Sequence, residues 1–72
     1  MKIEYSFDRR RLIDNEDNVI ALITKEGLLY LSPLTVNSNK EEIEKFIQDY
    51  KPIGFYDSKS VLIYRKYIES TL

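Results

Sequence analysis

Between residues 40 and 51 the chain carries one helical period, and it constrains the fold more tightly than anything else in the sequence. Ile43, Phe46, Ile47 and Tyr50 recur at i, i+3, i+4 and i+7, which sets four large apolar groups on one face of about three helical turns. Ser38 with Glu41, or Asn39 with Glu42, has the form of a capping box, so the helix is expected to start at Ser38 or Asn39. Glu41, Lys45 and Asp49 stand four apart with alternating sign on the opposite, solvated face. Pro52 biases Lys51 away from helical dihedrals, which places the end at Tyr50 or Lys51. Such a helix needs a sheet to cover, and most of the remaining chain reads as short strands.

Ile3, Tyr5 and Phe7 alternate with Lys2, Glu4, Ser6 and Asp8, the pattern of a strand with one buried and one wet face. In the same register Arg9 and Arg11 share the face of Phe7. Either the strand leaves the core at Arg9, or a bulge near Arg10 or Arg11 turns Leu12 inward. Residues 14–18 are all Asp, Asn or Glu and read as a turn. They do not complete a calcium loop, because Val19 and Lys25 stand where an EF-hand has its glycine and distal glutamate, so no metal site is expected. Val19–Thr24 and Leu28–Leu31 are apolar on both faces, are separated by a turn at Glu26 and Gly27, and are closed off by Pro33. Residues 53–56 suggest a fourth strand, residues 57–60 a turn, and residues 61–68 a fifth strand. The two faces of that last strand would be Val61, Ile63, Arg65, Tyr67 and Leu62, Tyr64, Lys66, Ile68.

The expectation is therefore a single α+β domain over residues 1–72, with an antiparallel sheet of about five strands in the order β-β-β-α-β-β and one helix on one face. Because several strands are apolar on both sides, the second face also needs cover. It would come from curling into a half-barrel, from a second copy of the chain, or from a different protein.

Composition removes several kinds of chemistry. The 72 residues include no cysteine and no histidine, so a disulfide framework, a thiolate nucleophile and the commonest general base and nitrogen metal ligand are all missing. No glycine-rich phosphate loop or nucleophile motif occurs, and there are only two glycines. Enzyme activity, a cofactor and a small-molecule substrate are not expected. The formal net charge is -1 and is evenly distributed, which argues against a global field for nucleic acid or an anionic membrane. No apolar run approaches the ~18 residues of a membrane span and no signal-peptide pattern opens the chain, so a cytoplasmic protein is expected. Nine isoleucines, seven lysines and six tyrosines suit an AT-rich coding sequence, including a viral one. Ser70, Thr71 and Leu72 match a C-terminal pattern captured by strand addition, although a frayed tail is the simpler expectation.

A chain of this size buries only about 60% of its unfolded surface, which makes association useful to it. The leading functional expectation is a small non-catalytic interaction module that presents a sheet face or edge strand to a protein partner or to itself as a homodimer. Tyr64, Arg65 and Tyr67 on the last strand are the candidate contact residues, with Arg9, Arg10 and Arg11 at the rim. The second reading is nucleic-acid binding, in which tyrosines stack bases while Arg10, Arg11, Arg65 and Lys66 hold phosphates. Asp8, Asp14, Glu16 and Asp17 flank the arginines and cancel much of their field, so this reading is not favoured.

Overall fold

A computed structural model describes residues 2–6 and 9–69 of the chain. The expected strand residues Phe7 and Asp8, and the tail 70–72, lie outside the described residues. The fold is α+β: four antiparallel strands, β1 (Lys2–Ser6), β2 (Arg9–Ile13), β3 (Val19–Thr24) and β4 (Leu28–Leu31), lie side by side in chain order. A 3-10 helix (Pro33–Asn37) and helix α1 (Lys40–Tyr50) follow. The two-residue strand β5 (Gly54–Phe55) then extends the sheet parallel to β4, with Leu28 opposite Gly54 and Leu29 opposite Phe55. Helix α2 (Ser58–Ile63) runs on into a π-helical turn over Tyr64–Ile68. The sheet is mixed and is not closed into a barrel.

The structure corrects the strand reading in three places. Residues 2–13 form two strands, with Ser6 opposite Arg9 and Glu4 opposite Arg11. The fourth expected strand shrinks to Gly54 and Phe55. It pairs parallel because α1 carries the chain back over the sheet to the start of β4, and a parallel neighbour requires such a crossover. Residues 61–68 are helical. Asp57 accepts a 2.8 Å hydrogen bond from the Ser60 amide and so caps α2; the expected turn at 57–60 is the first turn of that helix. Burial follows the helical period, with Ser60, Ile63, Tyr64, Tyr67 and Ile68 inward and Leu62, Arg65, Lys66 and Glu69 outward.

Helix α1 has the predicted limits. Asn39 accepts from the amides of Glu41 and Glu42, and Lys51 stops the helix in a left-handed conformation, φ 45°. In the turn at 14–18, Asp14 accepts from the amides of Glu16 and Asn18, and Asp17 takes φ 63°.

The core lies on one face of the sheet. Cross-strand rows Leu12, Ala21, Leu31 and Arg10, Ile23, Leu29 point toward α1 and the C-terminal helix. Ile43 and Phe46 of α1, and Ile68, close over them. Leu12 pairs with Ala21, whereas Ile13 pairs with Val19, so Ile20 is an extra residue in β3. This bulge turns Ile20 inward beside Ala21, and both are fully buried. Part of what reads as a two-faced apolar strand is therefore one face with an inserted residue. Val19, Leu22, Leu28 and Tyr30 are half-buried and outside the core.

Phe46 is 1% exposed at the centre of this core. Phe46→Ala is expected to remove about 3–5 kcal/mol, a large share of the ~4–11 kcal/mol typical of a chain this long. Gln48→Ala, on the exposed face of α1, should stay within about 0.5 kcal/mol of wild type. Urea denaturation checks both, and equal midpoints for the two variants would contradict the placement of the core.

Candidate functional site

The chemistry-bearing feature of this fold is the corner where β4, β5 and α2 meet. Strand β4 forms hydrogen bonds on both sides. Toward β5, the Gly27 carbonyl accepts from the Ile53 amide at 2.8 Å and the Leu29 carbonyl accepts from the Tyr56 amide at 2.9 Å. One step further, β5 has ended, and the Leu31 amide donates at 3.0 Å to the Ser60 hydroxyl, which is fully buried. Ser60 thus takes the place of the next strand residue and satisfies a buried donor.

Asp57 ties this contact to the start of α2. Its carboxyl is held below the ordinary value of 3.8 by the Ser60 amide first and then by the nearby Ser60 hydroxyl. Ser60 thus accepts from the Leu31 amide through its hydroxyl and donates to Asp57 through its amide. Asp14 is lowered for the same kind of reason, the Asn18 amide first, with the Glu16 amide and Asn18 side chain adding to it. These carboxylates hold backbone. Both sites belong to local capping.

Large apolar side chains gather around the corner. Ile53 is 83% exposed, Leu62 66% and Tyr56 58%. Two open grooves lie on this side of the molecule, one between the end of β4 and α2 and the other beside β5. One, of about 420 Å³, is lined by Tyr30, Leu31, Pro33, Lys59, Leu62 and Ile63. The other, of about 310 Å³, lies between β5 and α1 and includes Ile47, Ile53, Phe55 and Tyr64. The Tyr30 and Tyr56 rings meet edge-on at 5.9 Å, and the Phe55 and Tyr64 rings meet at 5.3 Å, so aromatic contacts join the strands to the helix.

The sequence-derived candidates fall on two elements. Tyr64, Arg65, Lys66 and Tyr67 occupy the π-helical turn. Tyr64 is half-buried against the core, Arg65 and Lys66 are exposed, and the Lys66 ammonium stands 5.6 Å from the centre of the Tyr67 ring. Arg9, Arg10 and Arg11 lie in β2, whose successive residues face opposite sides. Arg10 is exposed over the Tyr50 ring, 5.1 Å from its centre, while Arg11 is half-buried opposite Leu22 and Glu4. The backbone of Arg9 pairs with Ser6 and Thr24. Arg10 and Arg11 thus lie on opposite faces of the sheet. Ile53, Leu62 and Ser60 were not singled out by sequence, and the signal available was Asp57 three residues before Ser60, a helix N-cap pattern.

Comparisons with known protein families, with characterised proteins and with solved structures gave no match.

Because the Asp57 and Asp14 carboxyls sit lower in the folded than in the unfolded chain, their stabilisation is complete above about pH 4 and is lost as pH falls through the folded-state values. Thermal melts should be flat from neutral pH to this range and then drop. Asp57→Ala should lower the melting temperature at pH 7 and shrink the acid-induced drop; a pH profile parallel to wild type would contradict the role given to this carboxylate.

Proposed function

We propose that this chain is a small non-catalytic interaction module that binds a protein partner through the corner of β5 and α2, with a second copy of the chain as the most direct candidate. The observation that carries this reading is the exposure of Ile53 and Leu62, at 83% and 66%. Leaving two such side chains in water forgoes about 1.5–3 kcal/mol each of burial. Ile53 lines the groove with Phe55 and Tyr64 and Leu62 the groove with Tyr30 and Pro33, so each sets an exposed apolar group on a surface of the kind found at contacts. Leu62, Arg65 and Lys66 share the outward face of the helix, so Arg65 and Lys66 would border a contact made through Leu62. Tyr64 and Tyr67 act from beneath, by holding that helix in position.

The nucleic-acid reading loses support from the same geometry. It needed rings and cations alternating along one extended strand, and residues 61–68 are helical. The Tyr64 ring meets Phe55 and the Tyr67 ring carries Lys66.

Sedimentation equilibrium from about 10 μM to about 1 mM, the range of weak association, tests the reading. Wild type is expected to self-associate in a concentration-dependent way. Leu62→Glu combined with Ile53→Lys should return it to a monomer with an unchanged far-UV circular dichroism spectrum. Self-association that survives both substitutions would move the contact elsewhere. A wild-type monomer throughout this range would remove the second copy as the partner.

A further inference from the structure

The C-terminal helix differs from the rest of the fold in what holds it. Helix α1 has its own cap, a Lys40–Glu44 pair at 4.0 Å one turn apart, and two fully buried anchors, Ile43 and Phe46. Strands β2 and β3 are laddered on both sides. The last segment is helical over Ser58–Ile68, but only its first six residues are α-helical, and a helix of this length is marginal in water by itself. Val61, Ile63, Tyr64, Tyr67 and Ile68 are β-branched or aromatic, types that lose side-chain freedom in a helix. Its second half continues with the wider π pattern, in which the Glu69 amide bonds to the Tyr64 carbonyl, a geometry that rarely extends beyond single turns. Docking holds this helix: the Ser60 hydroxyl on the Leu31 amide, Ile68 at 6% exposure, and the half-buried Ile63 and Tyr64 against the core.

From this asymmetry we infer that residues 58–69 form a strap that opens as a unit while β1–β4 and α1 remain folded. Opening frees the Leu31 amide from Ser60 at the outer edge of β4 and uncovers the side of α1 that carries Ile47. The closed strap therefore controls access to a sheet edge and an adjoining apolar wall. Sub-global openings of this kind cover the range from terminal fraying up to global unfolding, and a helix with no intrinsic stability of its own belongs near the lower end. The inference does not depend on which partner meets the β5–α2 corner.

Native-state hydrogen exchange on the full chain, read residue by residue, is the test. Protection factors for the amides of residues 62–68 are expected to be at least about tenfold lower than those of Ala21 and Ile23, with a weaker dependence on added denaturant. Ser60→Ala should accelerate exchange in the strap by roughly a further tenfold, because it leaves the Leu31 donor without its acceptor, and should not change Ala21 and Ile23. Asp57→Ala should act in the same direction and serves if Ser60→Ala does not fold. Equal protection and equal denaturant dependence in strap and sheet, or variants that accelerate both alike, would overturn the inference.

Discussion

The contact on which the C-terminal third of this fold depends is the hydrogen bond from the Leu31 amide to the Ser60 hydroxyl. Strand β4 sits between β3, which is long enough to match it, and β5, which is not. A buried amide left beyond the end of β5 would cost about 1–3 kcal/mol. Supplying its acceptor from a helix rather than from another strand residue lets the chain stop the sheet and turn back over the core within one segment. Asp57 accepts from the Ser60 amide while the Ser60 hydroxyl accepts from the Leu31 amide, so one residue joins the helix start to the sheet edge. The exposed Leu62 lies beside this junction, in the groove with Tyr30, Leu31 and Pro33.

A second constraint acts in β3. The bulge at Ile20 lets a six-residue strand place Ile20, Ala21 and Ile23 on the same side, under α1. The main core cluster consequently lies on one side, Ile13 is buried outside it, and Leu22, Leu28 and Tyr30 remain half-buried. Apolar content on both sides of a strand is thus not by itself a count of covered faces.

Helix α1 was legible in the sequence because period, cap and stop signals agree: Ile43, Phe46, Ile47 and Tyr50, then Asn39, then Pro52 just past the end. The turn at Asp14 was legible for the same reason, its side chains having a local use. Residues 61–68 were not, because eight residues with apolar or aromatic groups at six positions, 61–64 and 67–68, fit both a two-residue and a 3.6-residue period. Their strand-favouring side chains decide the local preference, while docking of Ile68 and Ser60 decides the outcome. The candidate site moved with that segment. Arg65 stayed exposed, but Tyr64 turned into the packing against Phe55, and the apolar residues that face solvent are ones whose exposure depends on where β5 ends.

The central claim is that residues 58–68 are helical and docked at the β4 edge through Ser60. Backbone Cα chemical shifts in solution, with nuclear Overhauser contacts to the Leu31 amide, measure this directly. Helical shifts from Ser58 through Ile68, together with a contact between the Leu31 amide and the Ser60 side chain, are the result this account requires. Extended shifts across residues 61–68 with cross-strand contacts would contradict it and restore the fifth strand.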